Sequence, residues 1–354
     1  MEGLTIMKIL NLHGVGDIRL EEREIGEMAP GEVLLKIGAC GICSSDEARI
    51  FETGTYHFPT VPGHEFAGTI VDAADEEGRK LIGRKASVFP MLPCMECDSC
   101  KKRQYETCSN YKYFGSRNDG AFAEYLAVPV WNLNLIEDHV DIRVAALSEP
   151  AAVSLHATKK GKIREGDDVA VIGTGAIGLM IACFARNMGA DVKVFGRRES
   201  SLLSAKDLGF PTGDSSSLEQ GDPAFDCVFE AVGTNQAMTQ AVLATRAGGT
   251  IVAVGNPHGD FALSKDVYWK ILRRQLNLVG TWNSSFKGET EDDWKDVASL
   301  MAQGDIPFLK LITKTFSLDE YKEAFEFLRD KSVSKSRAMF VMEDPADRKE
   351  VTHG

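Results

Sequence analysis

Positive charge is in short supply: 40 Lys and Arg stand against 52 Asp and Glu, a formal net charge of −12. That balance repels phosphate backbones and leaves no broad basic surface for nucleic acid or an anionic membrane. Long apolar runs are missing as well. The longest uncharged stretch, Val169 to Ala185, has 17 residues and is interrupted by Gly173, Gly175 and Gly178. A membrane helix needs roughly 20, so the stretch reads as strand, turn and helix. The opening MEGLTIMKILNLHGVGDIRLEER carries a charge every few positions and no apolar stretch of secretory type, which makes a cytoplasmic location the expectation. Internal repeats, low-complexity tracts and long linkers are absent too.

What is present is an ordinary globular composition, 44% hydrophobic and 26% charged over 354 residues, enough for about two domains. Residues 1–152 alternate short β-like runs (GEVLLKIGAC, GTIVDAA, RKASVFP, FAEYLAVP) with Gly and Pro, the pattern of an irregular antiparallel sheet. Residues 153–286 switch to βα alternation (VAVIG, VKVFG, CVFEAVG, IVAVG, NLVGTW, with helical stretches between), which predicts a doubly wound parallel sheet. Residues 287–354 return to mixed character, with amphipathic helices in DDWKDVASLMAQG and LDEYKEAFEFLRD and a closing strand in SRAMFVME.

Gly173-Thr-Gly175-Ala176-Ile177-Gly178 follows an apolar strand and opens an apolar helix, the context in which GxGxxG binds a dinucleotide. The first glycine permits the tight turn, the second lets pyrophosphate approach, and the third packs helix on strand, with the anion on the helix N-terminus. The next strand ends at Gly196, followed by Arg197 and Arg198, where an acid would hydrogen-bond the adenosine ribose. A small residue leaves room for a 2′-phosphate and a guanidinium can bind it, so NADP(H) is expected over NAD(H). Glu199 stands close enough to serve instead as a displaced ribose ligand.

Of eight cysteines, five fall between Cys40 and Cys100 with two-residue gaps, in a chain whose expected compartment keeps thiols reduced. Metal is the better use for them. Cys94, Cys97, Cys100 and Cys108 offer four thiolates over fifteen residues, the closed set of a structural zinc, beside Lys101, Lys102 and Arg103 to offset the charge. Cys43, His64-Glu65 and Glu149 are dispersed, but a thiolate, an imidazole and a carboxylate leave a fourth position open, as catalytic zinc requires. Cys40, Cys183 and Cys227 read as small buried hydrophobes.

The order of GHEFAG, the four-cysteine lobe, GAFAEY and GTGAIG resembles the zinc-dependent medium-chain alcohol and polyol dehydrogenases over essentially the whole chain. The stretches PMLPCMECDSCKKRQYETCSNYKYFGSRNDGAFAEY and WKILRRQLNLVGTWNSS are most similar to its sugar-alcohol-phosphate branch. The resemblance implies an α/β protein: a Rossmann domain (153–286) plus a GroES-like, mostly-β catalytic domain (1–152) bearing a zinc lobe (90–112), to which residues 287–354 return. It implies two Zn2+ per chain, the catalytic one on Cys43, His64 and Glu149, with Glu65 able to replace Glu149 or a water. It implies reversible hydride transfer between NAD(P) and a secondary hydroxyl of a sugar-alcohol phosphate such as galactitol 1-phosphate. An unphosphorylated polyol, a pentitol phosphate, a secondary alcohol and L-threonine are the alternatives. Ser45 is then the candidate to take the alcohol proton, as the matching hydroxyl does in the family, the alternative being a local backbone acceptor; the histidine many relatives place nearby is replaced by Ala48 and Arg49, so the proton leaves by another route. Arg117, Lys270, Arg273 and Arg274 are the candidate cations for a substrate phosphate. The partner is a small molecule, and a homo-oligomer paired through edge strands near IVAVG and NLVGTW is implied.

Overall fold

The structure, a computed structural model, describes residues 6–257, 259–287, 292–330 and 336–342, so the end of the expected return segment lies outside the described residues. The βα alternation folds as one six-stranded sheet. Its strands are β1 (Asp168–Ile172), β2 (Asp191–Gly196), β3 (Thr212–Asp214), β4 (Phe225–Glu230), β5 (Thr245–Ala253) and β6 (Asn277–Gly280). They are arranged in the order β3-β2-β1-β4-β5-β6, and every neighbouring pair is parallel. The reversal between β1 and β4 opens a crevice at their carboxyl ends, where such sheets hold ligands.

A parallel sheet is covered on both faces, which is why β1 is apolar after Asp168 and Val169, Ala170, Val171 and Ile172 are all buried. The helix Ala176–Asn187 is apolar nearly all round for a related reason: it packs on β1 and β2 and also against the helix Ser148–Lys160. Phe184 and Leu179 on it are fully buried, each contributing roughly 1.5–3 kcal/mol.

Ile6–Gly14 and Asp17–Glu24 form a two-stranded antiparallel sheet, and seven further strands build a sheet in the order Ile312–Phe316, Arg337–Val341, Glu32–Ile42, Glu65–Ala73, Lys85–Val88 and Leu133–Ile136, with Tyr125–Pro129 also paired to Glu32–Ile42. The long strand Glu32–Ile42 lies antiparallel to Glu65–Ala73, with Gly41 opposite Glu65. Cys43, just past one strand, and His64, just before the other, therefore emerge at the same edge. Glycine at 41 leaves the Glu65 carboxylate its place, because a Cβ there would overlap Oε2 and push that side chain aside. The strand Arg337–Val341 pairs on the other side, Ala338 opposite Ile42, and brings a distant arginine to the same place. The cysteine-rich segment stands on a two-stranded base, Met91–Leu92 with Lys112–Tyr113. Among the described residues no helix is long and apolar enough to cross a membrane.

Candidate active site

Cys43 caps the short helix Ser44–Ala48, and its N–H donates to Asp46 Oδ2 at 3.1 Å. Asp46 is fully buried and its Oδ1 meets His64 Nδ1 at 3.1 Å. That bond orients the ring and leaves its other nitrogen toward Cys43. Ligand atoms of Cys43, His64 and Glu65 lie within 4.8 Å of one another. Glu65 Oε1 pairs with Arg337 Nη1 at 3.2 Å, while its Oε2 is buried with no partner. An orphaned carboxylate oxygen beside a thiol and an imidazole is the environment a divalent cation satisfies, so the residues fit zinc.

The charges agree. Burial works against a Cys43 thiolate, but His64 outweighs it and brings the thiol down to about 5. Burial also opposes a charged His64, and Asp46 with Cys43 holds its pKa well above the ordinary value. The proton on His64 is the one a metal displaces. Glu65 is pushed well above the usual carboxylate range by burial, with Cys43 and Glu149 adding to the effect and Arg337 opposing it.

Glu149, in the first turn of Ser148–Lys160, is not in the close group. Its Oε1 accepts from the Tyr113 hydroxyl at 3.2 Å, and burial raises it to about 7. Ser45 is half-buried and its Oγ accepts from Arg49 Nη1 at 3.1 Å. Asp46, Arg337 and Tyr113 escaped the sequence reading. Asp46 had a signal, an acid three residues after the cysteine in a helix-capping position. Tyr113 and Arg337 had none, since only chain folding brings them here.

In the lobe all four sulfurs lie within 4.8 Å of one another. Cys94 to Cys100 is 3.9 Å, Cys97 to Cys108 is 3.8 Å and Cys108 to Cys94 is 3.5 Å. Tetrahedral zinc with bonds of about 2.3 Å requires sulfur separations of about 3.8 Å, so this set fits zinc as well. Cys40, Cys183 and Cys227 are buried and free.

The crevice of the parallel sheet, about 390 Å³, is lined by Gly173, Gly175, Phe195, Gly196, Arg197, Arg198, Ser201, Ser215 and Gln240 among others, and by no carboxylate. Gly175 faces open space, whereas a Cβ at Gly178 would overlap the Gly173 carbonyl. Ala176, Ile177 and Gly178 stand behind the lining as the first turn of the helix. A Cβ at Gly196 would lie 3.0 Å from Leu202 and 3.1 Å from Ser201 and Thr174, so the strand end disfavours a larger side chain.

Of the candidate phosphate cations, Arg117 is clamped between the rings of Tyr56 and Tyr111, 4.2 and 4.4 Å from their centroids. It donates to the Tyr111 carbonyl and the Tyr56 hydroxyl, both at 3.0 Å, and its Nε is buried without a partner. Lys270 and Arg273 lie on the helix Lys265–Arg273 of the nucleotide-side sheet, with Arg273 over the Trp269 ring. Arg274 donates to the carbonyls of Val242, Leu243 and Thr245. The structure does not bring these three into the group around Cys43.

Comparison with known proteins agrees with this geometry. A family model for the alcohol dehydrogenase GroES-like domain matches residues 29–138, and one for zinc-binding dehydrogenases matches residues 176–303. Galactitol 1-phosphate 5-dehydrogenase of Escherichia coli K12 is 30% identical over 321 residues, covering 87% of this chain and 92% of the relative. L-galactonate-5-dehydrogenase of the same organism is 32% identical over 336 residues, covering 91% and 95%. A zinc-binding dehydrogenase candidate from Sinorhizobium meliloti 1021, solved bound to NADP, superposes with a TM-score of 0.86 at 28% identity, covering 95% of this chain and 99% of that one.

Proposed function

The chain belongs to the zinc-binding alcohol dehydrogenases, and from that membership we propose that it is an NADP(H)-preferring dehydrogenase of sugar-alcohol phosphates, with one catalytic and one structural zinc. The observation that carries the metal-dependent part is the orphaned Glu65 Oε2 beside Cys43 and His64. Zinc held there would supply Lewis acidity to a substrate hydroxyl, and nicotinamide would accept the hydride. The chain's own residues do the rest. Asp46 fixes the His64 ring, the Gly173–Gly178 turn seats the pyrophosphate, and Ser45 takes the alcohol proton while Arg49 holds its oxygen in place. The absence of a carboxylate in the crevice, together with Arg197 and Arg198, supports NADP(H).

The phosphorylated substrate is supported by the galactitol 1-phosphate relative and by the orphaned Nε of Arg117. A second reading, an unphosphorylated polyol, is favoured by the contacts that already occupy Arg117 on both faces. The deciding experiment is initial rates on galactitol 1-phosphate and galactitol, each with NADP and NAD, on enzyme holding two zinc per chain. Turnover of the phosphate with NADP favoured is expected. Faster turnover of galactitol would select the second reading, and a preference for NAD would remove Arg197 and Arg198 from cofactor selection.

We also propose a homo-oligomer. β6 is the edge of its sheet, Leu278 on it is 54% exposed and Trp282 just beyond is 58% exposed. Tyr268, Trp269 and Leu272, on the helix that precedes β6 in the chain, are exposed as well. A second copy presenting the same edge satisfies its free backbone groups and covers the rings. Leu278→Lys should shift the species seen by light scattering toward monomer; an unchanged mass would refute this interface.

A further inference from the structure

Glu149 raises a question of placement. It is a buried carboxylate whose hydrogen-bond partner, Tyr113, has its ring 5.7 Å from that of His64. Yet it stands outside the close trio of Cys43, His64 and Glu65. What holds it is the Tyr113 hydroxyl, donating to Oε1 at 3.2 Å.

We propose that Tyr113 is a positioning residue that keeps Glu149 out of the metal-ligand set, so that Cys43, His64 and Glu65 leave one place open for the substrate oxygen. The inference rests on the zinc reading of that trio. Four protein donors make a closed, structural kind of site, whereas three leave room for chemistry. Glu149 is a further donor whose partner Tyr113 lies beside the His64 ring, so something has to prevent closure.

Tyr113 is built for this. Its ring lies 5.7 Å from the His64 ring and 6.2 Å from the Tyr111 ring. Its backbone is fixed by the pairing with Met91, and its carbonyl accepts from the N–H groups of Arg117 and Asn118, both at 3.0 Å. Its hydroxyl is the donor of the bond and the Glu149 carboxylate the acceptor. Removing that one hydroxyl leaves a buried carboxylate oxygen without a donor, and the strongest replacement nearby is the metal.

The test uses the full-length enzyme with Co2+ in place of zinc and azide as a small anionic probe of an open coordination place. The closed cysteine lobe gives no azide difference spectrum, so the signal reports the Cys43 site alone. Wild type should give an azide difference spectrum. Tyr113→Phe should lose it, release cobalt to a chelator more slowly, and fall ~10–100-fold in kcat/KM. The double variant Tyr113→Phe/Glu149→Gln should recover the azide response, which a purely structural role for the ring cannot produce. A wild-type azide response in Tyr113→Phe would overturn the inference, as would a double variant that stays silent. A wild-type protein whose azide response survives Cys43→Ser would instead overturn the zinc reading on which it stands.

Discussion

The two cysteine-containing sites of this molecule solve opposite problems. In the lobe, four sulfurs lie within one loop and the one-turn helix Asp98–Lys101, 3.5 to 3.9 Å apart where adjacent pairs are recorded. At the other site three unlike donors come from two strand ends; Asp46 holds His64, Arg337 pairs with Glu65, and the Tyr113 ring lies 5.7 Å from that of His64, three supports far apart in the chain. A complete donor set holds itself. An incomplete one must be held by its surroundings, because each ligand would otherwise swing to fill the gap or find another partner.

The sharpest way to separate the two is to remove one donor from each. His64→Asn should lower kcat by about a thousandfold or more, the several kcal/mol that Lewis acidity supplies. It should release one metal equivalent and lower stability by about 1–3 kcal/mol, through the buried Asp46 carboxylate left without its imidazole partner. Cys100→Ser should release the other equivalent and lower the unfolding free energy by several kcal/mol or more, about half or less of what structural zinc contributes in small domains. Its kcat per folded molecule should fall far less. Metal analysis, calorimetry and rates on both variants check this; equal activity losses would erase the distinction.

A smaller effect tests the buttress itself. Asp46→Asn keeps size and removes the charge that orients His64, and should weaken metal affinity at that site ~10–100-fold, read by competition with a chromophoric chelator. Asp98, exposed in the lobe helix, has no such role, and Asp98→Asn should leave lobe affinity unchanged. If both changes weaken their sites alike, the lobe depends on its surroundings too.

This contrast also explains what could be read from the chain. The lobe was legible because its donors are local, and the nucleotide-side sheet because GxGxxG and βα periodicity are local as well. The other site was only half legible. Cys43 and His64 stand out by residue type, but the choice between Glu65 and Glu149 depends on two tertiary facts. One is the register that sets Gly41 opposite Glu65, and the other is the hydrogen bond from the Tyr113 hydroxyl to Glu149. Arg337 donates to the carbonyl of Ile42 across 295 positions of sequence, a contact no spacing encodes. The phosphate cations were legible only as basic residues, since charges on a helix carry no sign of which surface they face. Lys270 and Arg273 lie on the helix Lys265–Arg273, inside the βα-alternating stretch.

The finest distinction lies in how each site makes a thiolate. In the lobe, N–H groups of Cys100 and Ser109 lower Cys97 to about 6, whereas burial and the neighbouring sulfurs push Cys100 up to about 12. At the other site burial opposes the Cys43 thiolate and the His64 imidazolium overrides it, to about 5. A thiolate is the form present above the pKa and the only one that alkylates quickly. In metal-stripped protein, iodoacetamide labelling of Cys97 should therefore rise through about pH 6 and level off, while Cys100 stays nearly unlabelled at neutral pH. Cys43 should already be on its plateau there. His64→Asn separates the mechanisms: the Cys43 profile should move to higher pH because its counter-charge is gone, and the Cys97 profile should not move, because backbone donors do not titrate. Parallel movement of both profiles, followed by mass spectrometry, would mean that the two sites share a charge environment after all.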